Sequence, residues 1–302
     1  MFCMKKHFFC LVKTYVCGLM VLAGAASCEK MTVAESDDDG SKANVLLRIG
    51  SVEQVPFEMA KTRGRDVNGI CSRLNFLVYQ DGERIRQVSQ TSDEDGFGEA
   101  QIQLPEGEFF LVVLAHSSNG NPRSTNAEEI YFSNDIGFTD TFLYADSLIV
   151  GEENIMLTLE LDRITALIRF ISEDEAAVNN NRIRINYTGG AGTFNARDNG
   201  WGVVKSKQYK WFDVDNEKNE YDIYTIPHKG DDQHLNASIY YYEIDGDNVK
   251  ALFEDPFVIK NIPIKRNHIT ICRGKLFGSF KENTFKITIK NDWSADSLYF
   301  DF

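Results

Sequence analysis

The sequence predicts an all-β chain: two tandem antiparallel β-sandwich domains of Greek-key type behind an export signal and a short polar tether. Three observations carry this. Apolar and polar residues alternate with period two over many short runs. Those runs are separated by Asp-Gly, Asn and Pro-Glu-Gly turns. No window holds a long amphipathic helix.

The strands follow in order. "NVLLRIGSV", Asn44 to Val52, is short, apolar and β-branched. "RLNFLVYQDGERIRQVSQ" reads as a hairpin: Leu74, Phe76 and Val78 alternate, and Asp81-Gly82 suits the positive φ angles of a tight turn. "EAQIQLPEGEFFLVVLAHS" repeats that scheme, with Ala100, Ile102 and Leu104 alternating before a turn at Pro105-Glu106-Gly107. Phe109 to Ala115 is apolar at every position, which places it in the middle of a sandwich. "SLIVGEENIMLTLEL" closes the first half. "RITALIRFI" opens the second, with Ile164, Ala166 and Ile168 set against Thr165, Leu167 and Arg169. "RIRINY", a glycine-rich loop, "YDIYTIP", "HLNASIYYYEIDGDNVKALFE", "HITICRGKLF", "FKITIKNDW" and "SLYFDF" follow. The best helical stretches are short, near Ser124–Glu129 and Asp174–Val178. Leu111, Val113, Ile168 and Ile287 are expected in the core.

The N-terminus sets the compartment. Lys5, Lys6 and Lys13 are the only charges before Glu29, and the apolar stretch Thr14 to Ala26 falls short of the roughly 20 residues a membrane-spanning helix needs. A positive start, a short apolar centre and small residues at the end make a secretory signal. Its last residues, Ala25-Ala26-Ser27-Cys28, are similar to the lipobox of bacterial lipoproteins, in which the cysteine thiol receives a diacylglycerol, cleavage precedes it, and the new amino group is acylated. Ordinary cleavage after Ala26 or Ser27 is the alternative. Several acyl chains hold a protein on a bilayer where a single chain does so only marginally. The chain is thereby divided into a signal (1–27), a tether (28–43), a first sandwich (44–161) and a second (162–302). The run Ser36-Asp37-Asp38-Asp39 in the tether is similar to the acidic export patches of surface-exposed lipoproteins, although those sit nearer the cysteine.

Of six cysteines, Cys3, Cys10 and Cys17 leave with the signal and Cys28 carries the lipid, so Cys71 and Cys272 remain. Each is placed in a strand of a different half, and both are expected as buried free thiols. The net charge of −13 becomes more negative once the three signal lysines leave. A chain this acidic is not expected to hold nucleic acid through phosphate contacts.

No catalytic constellation stands out. There is no GxSxG elbow. Gly189-Gly190-Ala191-Gly192 lacks the spacing of a dinucleotide loop. Two Asp-rich loops have Leu46 or Ile102 where a calcium loop needs Glu. His228 and His234 around Asp231-Asp232 form the most metal-like cluster, and a solvated turn is the simpler account of it. No enzyme activity, cofactor or metal is expected. Trp201, Trp211, Tyr240 and Tyr242 are aromatic enough to bind a glycan or another ligand by stacking, although at strand spacing they also read as core.

Taken together, the lipobox at Cys28, "LPEGEFFLVVLAH", the junction "LTLELDRITALIRFI" and the late "IPIKRNHITICRGKLF" resemble the fimbrillin-associated anchor lipoproteins of type V pili. The resemblance covers nearly the whole mature chain, by pattern more than by strict motif. It implies two transthyretin-like sandwiches, a lipid anchor in the outer membrane, surface exposure, and a place at the pilus base with fimbrial stalk subunits as partners. It implies no catalysis. "KTRGRD" is also similar to the arginine cleavage sites of polymerising fimbrillins, a departure for an anchor, since cutting at Arg63-Gly64 separates the body from its lipid. Joining by strand complementation needs an extended segment with one apolar face. At the C-terminus Leu298, Phe300 and Phe302 form such a face, which suits either a donor strand for a neighbour or the last strand of the chain's own second sandwich.

Overall fold

The structure is a computed structural model that describes residues 43–52, 67–176, 181–204, 206–214, 217, 219–230, 233–245, 248–277, 286–291 and 296–299. Cys28, the acidic run 36–39 and the Arg63-Gly64 bond lie outside the described residues. The strands of the first half are β1 (Val45–Val52), β2 (Arg73–Gln80), β3 (Glu83–Thr91), β4 (Glu99–Ile102), β5 (Gly107–His116), β6 (Ile130–Tyr131), β7 (Thr141–Val150) and β8 (Ile155–Arg163). The second half has β9 (Ala166–Ser172), β10 (Asn181–Thr188), β11 (Thr193–Asn195), β12 (Trp201–Gly202), β13 (Gln208–Asp213) and β14 (Glu220–Thr225). It continues with β15 (His234–Asp245), β16 (Asn248–Ala251), β17 (Phe257–Pro263), β18 (Ile269–Gly274), β19 (Lys286–Asn291) and β20 (Asp296–Tyr299).

Seven strands in the order β3-β2-β5-β7-β8-β1-β4 make the first sandwich. Its two faces are joined through two residue pairs of β7 and β8, Phe142 with Arg163 and Leu143 with Asp162. Leu74, Phe76, Val78, Phe109, Leu111 and Val113 of one layer pack against Val45, Leu47, Ala100, Ile102, Leu159 and Leu161 of the other. Period-two alternation puts these side chains on one face of each strand, and their burial drives the layers together. The β2–β3 hairpin turns at Asp81 and Gly82, with φ of 51° and 88° as expected.

The sequence EAQIQLPEGEFF departs from the hairpin expectation. Strand β4 pairs with β1, whereas β5 pairs with β2 and β7. The turn at Pro105 therefore arches between layers. Asn44 terminates β4: its Oδ1 accepts from the Leu104 N–H (3.0 Å) and its Nδ2 donates to the Leu104 carbonyl (2.8 Å). Leu104 remains in the core, so the alternation is satisfied by either topology.

Ten further strands form the second sandwich. One sheet runs β14-β9-β18-β19-β20; the other runs β13-β10-β15-β16, with β17 also paired to β15. Ala166, Ile168, Phe170, Ile223 and Cys272 of the first sheet face Ile183, Ile185, Leu235, Ala237, Ile239 and Ile262 of the second. Two pairs depart from the antiparallel expectation, β1 with β8 and β9 with β18, both parallel. Parallel partners need a long crossover, and here it is most of each half of the chain.

Why Phe109 to Ala115 is apolar throughout is now visible. Leu111 and Val113 enter the first core, while Val112 and Leu114 enter a further cluster with Leu77, Tyr79, Ile130, Phe132, Phe194 and Ile226. That cluster is covered by the small sheet β12-β11-β6 and includes residues from before and after position 161. The glycine-rich loop serves this packing. A Cβ on Gly190 would lie 1.9 Å from Thr225 Oγ1, closer than atoms can approach.

Several smaller expectations are corrected. Ser124–Glu129 is a series of bends in which Asn126 Oδ1 accepts from the Glu128 N–H (2.9 Å), an Asx turn that competes with helix formation. Asp174 heads no helix among the described residues: its carboxylate accepts from the backbone N–H groups of Leu276 (2.7 Å) and Phe277 (3.0 Å). Among the described residues the helical turns are 3-10, at Val67–Gly69 and Ala196–Asp198. Cys71 precedes β2 and lies in no strand, whereas Cys272 sits within β18; both are buried free thiols. Leu111, Val113 and Ile168 are buried as expected, and Ile287 is only partly so.

Candidate functional site

Where the expected site residues fall is mixed. Leu298 lies opposite Ile289 on β20, the edge strand of the chain's own sheet, and Phe300 and Phe302 lie outside the described residues. The imidazole of His228 bonds the Gly202 carbonyl through Nδ1 (2.7 Å), and Asp231 and Asp232 lie outside the described residues. Among the described residues no group of three or more His, Cys, Asp or Glu side chains is placed to hold a metal ion. Trp201 sits on β12 with the Arg266 guanidinium 3.8 Å from its ring centroid.

Trp211, Tyr240 and Tyr242 meet elsewhere, on the outer face of the β13-β10-β15 sheet. Strand β10 runs between the other two. Its alternation sends Ile183, Ile185 and Tyr187 inward and leaves Arg182, Arg184 and Asn186 half-buried on the outer face. Arg184 stands directly between Trp211 on β13 and Tyr240 on β15; Arg182 stands between Asp213 and Tyr242. The two tyrosine rings are nearly parallel, 17° apart with centroids at 6.4 Å, and Trp211 tilts toward Tyr242 at 5.1 Å.

The two arginines are in different electrostatic situations. Arg182 Nε lies 2.8 Å from Asp213 Oδ1 and the guanidinium is 5.3 Å from the Trp211 ring, so its charge is paired. Arg184 lies 5.0 Å from the Tyr240 ring, 5.3 Å from Trp211 and 5.8 Å from Tyr242. Its Nε is buried without a hydrogen-bond partner, and among the described residues Arg184 makes no ion pair. Ring quadrupoles stabilise its cation in part, but they accept none of its directed N–H bonds. Lys210, next to Trp211 on β13, points to the opposite face of the sheet, where burial lowers its pKa and its Nζ donates to the Asp222 carbonyl (3.0 Å).

Trp211, Tyr240 and Tyr242 stand together as the aromatic composition suggested, Trp201 lies apart on β12, and the arginines between the three rings were not among the expected site residues. The available signal was the Arg-Ile-Arg alternation in "RIRINY", which marks one strand with a cationic outer face.

A family model described as "Family of unknown function (DUF6562)" matches residues 124–300. No curated protein matches the chain. Among solved structures, a candidate cell adhesion protein from Bacteroides ovatus is similar at 14% identity and TM-score 0.47, covering 85% of this chain and 99% of the other. Polysaccharide-binding candidates of the DUF1812 group from Bacteroides thetaiotaomicron align at 11% identity and TM-score 0.48, with coverage of 85% and 98%. A fimbrial assembly protein from Parabacteroides distasonis aligns at 12% identity and TM-score 0.37, with coverage of 84% and 97%.

Proposed function

The chain belongs to the DUF6562 family, and from that starting point we propose that it is a lipid-anchored, non-enzymatic subunit that holds a fimbrium at the outer membrane, joined to its stalk subunits by strand complementation. The observation that carries the reading is the Ala25-Ala26-Ser27-Cys28 signal ahead of a tethered sandwich. Lipid at Cys28 fixes one end of the tether to the outer leaflet of a surface. The other end enters β1, which lies between β8 and β4 in its sheet. A strand held on both edges transmits a pull into the whole sandwich through its ladder of hydrogen bonds. Among the described residues strand β20 is paired with β19 alone, which leaves a backbone edge for a neighbouring chain.

Metabolic labelling with a clickable fatty acid tests the reading. The wild-type chain takes up label and stalk subunits are recovered with it from the outer membrane. The Cys28→Ala chain takes up none, and fimbriae are shed into the medium. Absence of label from the wild type, or normal retention of fimbriae by Cys28→Ala, overturns the proposal.

A further inference from the structure

We infer that the Trp211–Arg184–Tyr240–Tyr242 face is a binding platform for a carboxylate-bearing saccharide, a glycan with uronic or similar acidic sugars. The inference does not rest on the fimbrial reading, and its test does not involve the lipid.

Three features carry it. The first is a cation without a counter-ion among the described residues. In a chain of net charge −13 a half-buried arginine is easily neutralised, as Arg182 is by Asp213. Arg184 is flanked by rings instead and makes no ion pair among the described residues, although Nε is buried without a hydrogen bond in both arginines. A guanidinium presents a fork that fits a carboxylate with two parallel N–H···O bonds, each stronger than a neutral hydrogen bond.

The second is the shape of the surroundings. Trp211, Tyr240 and Tyr242 are partly exposed and arranged by strand register around that fork. The C–H face of a pyranose ring is flat and apolar. It packs on an aromatic ring as another apolar body does, while the hydroxyls stay in water. Tyrosine hydroxyls, the Asn186 amide and the Ser238 hydroxyl on the same face supply neutral hydrogen-bonding groups.

The third feature is selectivity by charge. A single guanidinium calls for one carboxylate at a time. A phosphate backbone instead requires many cations, and the acidic whole repels it. A neutral saccharide stacks on the rings but leaves Arg184 unbonded.

Calorimetric titration of the full chain, purified in detergent, with tri-galacturonate and with its methyl ester decides the matter. The wild type is expected to bind the acid about tenfold or more tightly than the ester, from the loss of a charge-assisted bond. Arg184→Gln is expected to bind both equally and weakly, and Arg184→Lys to keep part of the preference. Trp211→Ala loses both ligands, whereas Trp201→Ala, on β12, binds as the wild type does. No binding of the acid by the wild type at millimolar concentration overturns the inference. So does equal binding of acid and ester by the wild type, a measurement that needs no variant to fold. An acid preference unchanged in a folded Arg184→Gln chain also overturns it.

Discussion

Arg163 and Asn267, 104 positions apart, are joined by a hydrogen bond of 2.9 Å from Nη1 to Oδ1. Arg163 leads the junction "RITALIRFI", and Asn267 lies in "IPIKRNHITI", so two separate stretches of the chain meet at one buried charge. The Arg163 side chain is 1% exposed, and it grips Asp140 with Nε at 2.9 Å from Oδ1 and Nη2 at 2.9 Å from Oδ2. Thr165 donates to Asp140 Oδ1 (2.8 Å), and the Phe142 ring covers the guanidinium at 4.7 Å. The Asn267 N–H returns a bond to the Thr165 carbonyl (2.8 Å), made possible by its left-handed φ of 58°.

Breaking this cluster from one side leaves a buried charge. Asp140→Ala is expected to destabilise the chain by about 3–5 kcal/mol, because the Arg163 cation remains without its carboxylate. The double variant Asp140→Ala/Arg163→Met is expected to be more stable than Asp140→Ala alone. Denaturant titration of the two checks this, and equal stabilities would show that the arginine finds water or another partner.

His116 makes stability depend on pH. Its Nδ1 accepts from the Ser118 N–H (3.2 Å), which requires an uncharged ring, and its Nε2 faces Asn75 Oδ1 at 2.9 Å. Burial, assisted by nearby Arg73, lowers its pKa to about 3. The unfolded chain protonates this residue near pH 6.5 and so binds more protons between about pH 6.5 and 3. The contribution is fully present above pH 6.5 and is lost as pH falls through that window, at up to about 1.4 kcal/mol per pH unit. Melting temperatures measured from pH 8 to 4 should fall less steeply in His116→Phe than in the wild type; parallel curves would refute the assignment.

Leu111 is 1% exposed between the two layers of the first sandwich. Leu111→Ala should cost about 2–5 kcal/mol through lost transfer energy and the cavity left behind. A loss under about 0.5 kcal/mol would mean that the site collapses freely or that β5 is misplaced.

The two body thiols should be inert. Burial pushes both Cys71 and Cys272 up to about 12, far from the thiolate that alkylates. Iodoacetamide at pH 8 should leave both unmodified in the native chain and modify both in denaturant. A linked Cys71–Cys272 peptide in unreduced digests would contradict the separation of the two residues in different cores.

Removing 297–302 tests the edge strand. Because β20 pairs only with β19 among the described residues, the truncated chain should melt within a few degrees of the full one and stay on the membrane, while failing to retain fimbrial stalks. A large drop in melting temperature would show that the second sandwich depends on β20 for its own stability and overturn its role as a strand shared with a neighbour.

What could be read from residue order was whatever depends on neighbours two positions apart. The alternation of Leu74, Phe76 and Val78, the Asp81-Gly82 turn and the buried run at Leu111 are all of this kind, since a strand's two faces are set by backbone geometry alone. The three rings of the outer face were visible for the same reason, each as an aromatic at strand spacing. Pairing was not legible. Ile102 and Leu104 are satisfied whether β4 folds back on β5 or crosses to β1, and a hydrophobic pattern carries no record of which. Nor did it show that Arg184 would stand between Trp211 and Tyr240, or that Arg163 would reach Asn267, because register between distant strands is decided by the packing of whole layers. The charges at both places acquire their meaning from surroundings that only the tertiary structure supplies: a carboxylate for Arg163 and, among the described residues, aromatic rings for Arg184.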